Sequence, residues 1–275
     1  MQGLTVAYPT PTGQLREVVR GVDLSLRAGE TLGLVGQSGS GKTQTAFSIL
    51  GVLPAQAVVV AGSVRLDGRE LLDLSDAELR TVRGRSVAYV PQEPMSNLDP
   101  TSTVGAQLVE GLRAADPMPR RQARERVLAL LARVGIADPQ RTFDAYPHQI
   151  SGGMAQRALI AAAVAGRPAL LFADEPTTAL DVTVQAEILD LLRDLQAELG
   201  MAVLLVTHNF GVVADSCERI AVMQQGRVVE TGRTTDVFDT PKHPYTASLL
   251  GSILDDATVR ADLETTMDTT GQEAP

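Results

Sequence analysis

Hydrophobic and polar residues along the chain follow two different periods. Seven short segments are apolar or alternate with a period of two, and they predict strands at residues 4–8, 22–26, 31–35, 63–67, 86–90, 169–173 and 202–206. Apolar residues at helical spacing predict helices over 42–53, 120–134 and 184–199, with Pro54, Gly135 and Gly200 as stop signals. Short strands that alternate with helices predict an α/β fold built on a parallel sheet.

The region 92–166 differs from the rest of the chain because its texture is mainly helical. Residues 1–91 are typical of mixed β-structure with one helix, and residues 167–240 return to alternating strands and helices. We therefore expect a core of 1–91 and 167–240 that carries an inserted helical subdomain. The segment 241–250 follows this core, and the acidic composition of 251–275 predicts a flexible tail.

A glycine-rich run joins the predicted strand 31–35 to the predicted helix that starts at Lys42. It fits the phosphate-binding pattern G-x-x-x-x-G-K-[ST], in which glycines let backbone N–H groups point at phosphate oxygens. Lys42 is predicted to reach the β and γ phosphates, and the Thr43 hydroxyl to ligate Mg²⁺. A glycine-rich turn without a ligand is the alternative, which the flanking strand and helix disfavour. The predicted nucleotide-binding residues of this phosphate loop are Gly36, Ser38, Gly39, Ser40, Gly41, Lys42 and Thr43.

Polar side chains follow three of the predicted strands, at the sheet edge where α/β folds bind ligands. Asp174 is predicted to hold Mg²⁺ through water, and Glu175 to orient or polarise the water that attacks the γ phosphate. His208 is predicted to contact the γ phosphate, and Gln92 to touch Mg²⁺ or the water. A solvated Asp-Glu pair and a structural histidine are the alternatives. Together these residues predict catalysis of nucleotide hydrolysis.

The segment Ile-Ser-Gly-Gly-Met-Ala-Gln-Arg at 150–157 combines a helix cap with two glycines. Ser151 is predicted to cap the helix that begins there, and Gly152 and Gly153 allow its N-terminal amides to approach phosphate. This segment resembles the ABC-transporter signature, whose common form is Leu-Ser-Gly-Gly-Gln. The whole order resembles an ABC ATPase: phosphate loop, glutamine, signature, Asp-Glu pair, Ala-Leu-Asp181 and histidine.

The resemblance implies a RecA-like P-loop ATPase core with an antiparallel β subdomain and an inserted helical subdomain, and with ATP and Mg²⁺ as ligands. It also implies that the signature completes the site of a second ATPase subunit in a head-to-tail sandwich. Asp181 would carry contacts from one site to the other. Tyr8 matches the family's adenine-stacking aromatic, although the insert 9–16 lengthens its spacing to the phosphate loop, and a plain core tyrosine is the alternative.

Further segments resemble the ATP-binding subunits of oligopeptide, dipeptide and nickel importers over about residues 3–250. They are the segments 92–100, 146–149, 176–185 and 241–246, the last being a His-Pro-Tyr motif. The resemblance implies a subunit that hydrolyses ATP to power import of di- or oligopeptides, with nickel or another small solute left open. The Ser-Gly-Gly-Met form is similar to the first of two ATPase subunits, so a heterodimer is expected, with a homodimer possible.

Such a subunit would work with two transmembrane permease subunits and, indirectly, with an extracytoplasmic solute-binding protein. Its expected place is the cytoplasmic face of the bacterial plasma membrane. Many peptide-importer ATPases also continue into a cysteine-containing extension that holds an iron–sulfur cluster. No cysteine follows Cys217 in this chain, so we predict no such cluster.

Composition narrows the alternatives. A net charge of −9 argues against a nucleic-acid surface, and 44% hydrophobic residues among 275 support a large core. One cysteine excludes an internal disulfide, and we find neither a signal-peptide pattern nor an apolar run of the roughly 18 residues that a membrane span needs. A soluble ABC ATPase of DNA repair or ribosomes, a regulatory nucleotide-binding module and an exporter remain as less favoured readings.

Overall fold

Strands and helices alternate along most of the chain. A computed structural model describes residues 1–178 and 180–252; most of the predicted acidic tail lies outside these ranges. The described strands are β1 (Gln2–Pro9), β2 (Leu15–Val22), β3 (Thr31–Val35), β4 (Val58–Ser63), β5 (Arg65–Leu66), β6 (Arg69–Glu70), β7 (Val87–Val90), β8 (Leu170–Asp174), β9 (Ala202–Thr207), β10 (Arg219–Gln224) and β11 (Arg227–Arg233). The described helices are α1 (Lys42–Leu50), α2 (Asp76–Val82), α3 (Val104–Ala115), α4 (Arg120–Arg133), α5 (Pro139–Asp144), α6 (Gly152–Val164), α7 (Val182–Leu199), α8 (Phe210–Ser216) and α9 (Thr234–Asp239).

The main sheet has the strand order β11-β10-β3-β9-β8-β7. Strands β10, β3, β9, β8 and β7 pair in parallel, and β11 adds antiparallel to β10 at one edge. This arrangement confirms the predicted α/β fold with a parallel sheet. In the ladders Val35 lies opposite Thr207, and Asp174 lies opposite Val206. The carboxyl ends of β3, β8 and β9 are therefore level, so the residues that follow them gather at one edge.

The faces of the main sheet pack against different elements because successive side chains of a strand point to opposite sides. Leu171 of β8 belongs to a core that contains Ile188 of α7. Its neighbour Phe172 belongs to a second core, shared with Leu4 of β1 and Ile49 of α1. Strand β8 thus lies between helices on one side and the small β-sheet with α1 on the other.

A second sheet, with the order β2-β1-β4, is antiparallel throughout. The prediction of a strand at 22–26 is wrong, because it is residues 15–22 that pair with β1. The alternation at 22–26 instead reflects Leu24 and Leu26, which pack on the core without joining a strand ladder. The predicted strand 63–67 is also divided, since Ser63 ends β4 and residues 65 and 66 form β5, which pairs with β6 in a hairpin.

The first helix is shorter than the sequence pattern predicts. Helix α1 ends at Leu50, and Gly51 follows in the left-handed conformation with φ of 62°. Its N–H caps the carbonyl groups of the last turn, as glycine does at many helix ends. The stop signal is therefore Gly51 and not Pro54.

Helices α3, α4, α5 and α6 all lie within the segment 92–166. Their buried residues pack together into the core that also covers one face of the main sheet. Across residues 1–178 and 180–252, no helix is both long enough and apolar enough to cross a bilayer.

Candidate functional site

The phosphate loop lies between β3 and α1, and its backbone requires glycine. Gly39 and Gly41 have φ of 77° and 104°, in the region that disfavours other residues. A Cβ atom at Gly36 would lie 2.1 Å from the carbonyl oxygen of Met223. The loop therefore owes its path to glycine, and it delivers the first amides of α1 toward the cleft.

Lys42 is held inside the phosphate loop. Its Nζ donates to the carbonyl oxygens of Gly36 and Gln37, at 2.8 and 3.1 Å. The side chain is 7% exposed, and burial lowers the pKa of Lys42 although the carboxylates of Glu175 and Asp174 act to raise it. The Ser40 hydroxyl is buried in the same loop and has no hydrogen-bond partner among the residues that the structure describes. A buried cation and an unpartnered hydroxyl in one loop fit an anionic phosphate group.

Thr43, in the first turn of α1, contacts the end of β8. Its hydroxyl donates to Oδ2 of Asp174 at 3.2 Å. Burial raises the pKa of Asp174, while the hydrogen bonds from Thr43 and Tyr89 and the charge of Lys42 act to lower it. Mg²⁺ is usually bound through one or two protein oxygens together with substrate phosphates. The donor pair of Thr43 and Asp174 fits that ion.

Glu175 receives hydrogen bonds from three directions. Its Oε2 accepts from Nε2 of Gln92 at 2.8 Å and from the Thr178 hydroxyl at 2.9 Å, and its Oε1 lies 2.8 Å from Nδ1 of His208. The structure therefore brings together the three predicted catalytic residues, which come from the ends of β7, β8 and β9.

The backbone of Glu175 is strained. Its φ is 45°, a conformation that costs a residue with a side chain roughly 1–3 kcal/mol. The N–H of Glu175 donates to the carbonyl oxygen of Val206 at 2.8 Å, which holds this turn against the neighbouring strand. Strain of this kind persists where the surrounding contacts fix a functional side chain.

A cleft of about 410 Å³ unites the phosphate loop with the carboxylates, and it has the size of a small-molecule site. Tyr8, at the end of β1, forms part of its wall and donates from its hydroxyl to Oε1 of Gln44 at 2.6 Å. Stacking of Tyr8 on adenine stays a prediction. The described residues that line the cleft are Tyr8, Val18, Ser38, Gly39, Ser40, Gly41, Lys42, Thr43, Gln44, Gln92, Asp174 and Glu175.

The signature residues lie elsewhere. Ser151 caps α6 as predicted, because its hydroxyl accepts from the N–H of Met154 at 3.2 Å. Gly153 lies close to α7, and a Cβ atom there would be 3.0 Å from Cγ1 of Val184. Asp181 caps α7 by accepting from the N–H of Val184 at 2.9 Å. Like Gly152, these residues are absent from the described lining of the cleft, so the chain presents the two halves of the predicted site separately.

The family model described as ABC transporter matches residues 19–178, which is more than half of the chain. The chain belongs to the ABC transporter family. This membership, together with the fold, confirms the predicted ABC ATPase architecture, and it makes the chain an ATP-binding ATPase.

Relatives of this ABC ATPase carry names that refer to peptide transport. The chain is 50% identical over 236 residues to a probable peptide ABC transporter ATP-binding protein of Sinorhizobium fredii, covering 86% of this chain and 70% of the relative. It is 46% identical over 254 residues to a dipeptide transport ATP-binding protein of Bacillus subtilis, covering 92% and 76%.

Solved ABC cassettes share its fold. A dimeric ATP-binding cassette in a post-hydrolysis state, bound to ADP and Pi, is similar with a TM-score of 0.75 and 30% identity, over 85% of this chain and 97% of the other. A part of an ABC transporter complex from Clostridium perfringens is similar with a TM-score of 0.70 and 27% identity, over 87% and 91%.

Sequence reasoning missed several contacts of this ABC ATPase site. Gln44 directly follows the phosphate loop and Thr178 lies within the segment 176–185, so closeness in sequence to the predicted site is the signal that marks both. Tyr89 lies in an apolar strand, and nothing in its pattern marks its influence on the pKa of Asp174. The Tyr245 hydroxyl accepts from the N–H of Gln37 at 3.2 Å, across a separation of 208 residues.

Proposed function

We propose that the chain is the ATP-binding and ATP-hydrolysing subunit of an importer for di- or oligopeptides. The observation that carries the hydrolytic part is the carboxylate of Glu175, fixed by Gln92, Thr178 and His208 beside the cleft of the phosphate loop. The peptide part is supported by relatives whose names place them in peptide and dipeptide transport.

The proposal assigns separate tasks to several residues in and beside the cleft. Lys42 and the loop amides hold the phosphates, and Thr43 with Asp174 would hold Mg²⁺. The ion would neutralise charge that develops on the β and γ phosphates. The Glu175 carboxylate orients the attacking water and accepts its hydrogen bond, while His208 contacts the γ phosphate.

Gln92 links the site to the helical segment. Its amide donates to Glu175 while its backbone leads into residues 92–166, so a movement of that segment alters the hydrogen bonding of the catalytic carboxylate. We propose that this segment contacts two transmembrane permease subunits, at the cytoplasmic face of the plasma membrane. An extracytoplasmic solute-binding protein would deliver the peptide.

The active assembly pairs this chain with a second ATPase subunit. Support comes from the separation of Ser151, Gly152 and Gly153 from the chain's own cleft, and from the similar cassette solved as a dimer. In that assembly the signature would face the partner's nucleotide, and Asp181 would lie between the two sites. We propose a heterodimer, with a homodimer as the alternative. ATP drives closure only if it binds the closed dimer more tightly than the open state.

Purification of the tagged chain from detergent-solubilised membranes tests this function. We expect two permease subunits and a second ATPase to copurify, and ATP hydrolysis by the complex to rise when a peptide-loaded binding protein is added. The same complex assayed with a nickel-loaded binding protein is the comparison. Recovery of the chain without membrane subunits, or stimulation by nickel and not by peptides, would contradict the proposal.

A further inference from the structure

One peptide group of the phosphate loop is hydrogen-bonded on both of its sides. The carbonyl of Gly36 accepts from Nζ of Lys42 at 2.8 Å. The N–H of Gln37, which belongs to the same peptide group, donates to the Tyr245 hydroxyl at 3.2 Å. Rotation of this group would break both hydrogen bonds, so its orientation and the resting position of the lysine are coupled to Tyr245.

Tyr245 belongs to the segment 241–250, which is tied to the main sheet. The backbone N–H groups of Lys242 and His243 donate to the two carboxylate oxygens of Glu230 on β11, at 2.8 and 3.0 Å. The N–H of Tyr245 then donates to Nδ1 of His243 at 3.2 Å. The tyrosine ring also packs against the core beneath the sheet. These hydrogen bonds therefore connect the segment that contains Tyr245, and with it the Tyr245 hydroxyl, to β11.

The loop needs an outside contact of this kind. Gly36 has no side chain to restrict its backbone, and the carbonyl oxygen of Met223 leaves no room for one. A glycine populates more backbone conformations than other residues, so fixing it costs more conformational entropy. A hydrogen bond from a preformed part of the fold favours one of these conformations before the nucleotide arrives.

We propose that Tyr245 is a positioning residue that presets the phosphate loop for nucleotide binding. Its hydroxyl holds the Gly36–Gln37 peptide, and through it the ammonium group of Lys42. This inference rests on the proposed ATP binding. Because the hydroxyl restricts the loop before ATP arrives, less conformational entropy is lost on binding, and the bound ground state and the transition state benefit equally. The hydroxyl therefore acts on KM for ATP and leaves kcat unchanged.

The variant Tyr245→Phe removes the hydroxyl and keeps the ring. Loss of one hydrogen bond predicts an affinity for ATP and for ADP that is about three- to tenfold weaker, measured with a fluorescent nucleotide on the full chain. In the complete transporter KM should rise by the same factor at constant kcat. Tyr146→Phe, which alters a 39% exposed tyrosine in the helical segment, is the matched control with wild-type affinity.

A second variant tests the route to the sheet. Glu230→Gln leaves only one side-chain oxygen for the two N–H groups of Lys242 and His243, so nucleotide affinity should fall. Because Glu230 acts through the hydroxyl, the double variant with Tyr245→Phe should be no weaker than Tyr245→Phe alone. Thermal unfolding of Tyr245→Phe should match that of the wild type, which separates positioning from folding.

Several results would overturn the inference. Wild-type nucleotide affinity in Tyr245→Phe would show that the hydroxyl has no positioning role, and so would a fall in kcat at constant KM. If the wild-type chain and Tyr146→Phe themselves bind no ATP, the proposed function fails and this inference fails with it. A weakened Tyr245→Phe beside a normal Tyr146→Phe supports both.

Discussion

At the scale of single residues, the cleft keeps two charged groups away from water. Asp174 is 5% exposed and Lys42 is 7% exposed. Burial raises the pKa of Asp174 and lowers the pKa of Lys42, so it favours the neutral form of each group. Burial of charged groups costs stability in the protein without nucleotide. The cost is tolerated because these groups are placed where an ion and phosphates would bind.

Asp174→Asn tests this cost. Folding favours the protonated form of Asp174, so its contribution to stability is full below the ordinary pKa of 3.8 and is lost as pH rises through the raised value. At pH 7 without nucleotide, Asp174→Asn should unfold with a higher free energy than the wild type, and the difference should shrink as the pH approaches 4.

Denaturant unfolding at several pH values measures this difference. Asp190→Asn is the control, because its side chain is 66% exposed on α7 and a surface change shifts stability by no more than about 0.5 kcal/mol. A wild type that is more stable than Asp174→Asn at neutral pH would contradict the account of the buried carboxylate.

Cys217 illustrates a residue whose burial makes it inert. Desolvation raises the pKa of its thiol to about 12, and its Sγ would lie 3.2 Å from a Cβ built on Gly33. We expect no reaction with an aromatic disulfide reagent at pH 8 in the native state, and one reactive thiol after denaturation. Labelling of the native protein at the rate of a free cysteine would contradict this environment.

Residue patterns predicted much of the site because strand ends in a parallel sheet converge. Asp174, Glu175 and His208 each follow an apolar strand, and that position alone placed them at one edge. Tyr245 could not be found in this way. Its contact with the loop depends on the path of β11 and the following segment, which no local pattern encodes.

At the scale of elements, apolar periodicity reports burial and not strand pairing. Leu24 and Leu26 alternate with polar residues and are partly buried, yet the strand of that region is 15–22. Helix ends depend similarly on local geometry, as Gly51 shows for α1. The longer helices α4 and α7 were predicted closely, because many apolar positions agree on one face.

The variant Ser151→Ala distinguishes the two roles of Ser151, which caps α6 and is proposed to contribute to the partner's nucleotide site. Loss of the hydrogen bond to Met154 should destabilise the chain by about 1 kcal/mol, a typical value for an N-cap. ATP affinity of the chain alone should not change, because Ser151 lies outside the cleft. ATP hydrolysis by the assembled transporter should fall.

Ser75→Ala is the matched control for this prediction. Ser75 caps α2 through the N–H of Glu78, so its loss should cost similar stability. Its ATPase activity in the transporter should remain normal. Equal ATPase activities of Ser151→Ala and Ser75→Ala would contradict a role for the signature in the partner's site.

At the scale of the whole molecule, the sheet edge gathers the groups that we propose bind and hydrolyse ATP, while the signature lies at α6, outside the cleft. The sequence order of the motifs predicted the family, which the family comparison confirms. The transported solute could not be derived from the residues, because none of the cleft residues would contact it. The proposal that the solute is a peptide depends on the names of the relatives, and assays of the membrane assembly test it.

The central claim is that this cleft hydrolyses ATP with Glu175 as its catalytic carboxylate. The most direct measurement compares ATP binding and hydrolysis by the assembled transporter carrying wild type, Glu175→Gln or Glu125→Gln, the last being a control whose side chain is 62% exposed. Glu175→Gln should bind ATP normally and hydrolyse it about 100-fold or more slowly, with Glu125→Gln unchanged. Wild-type turnover in Glu175→Gln would contradict the account.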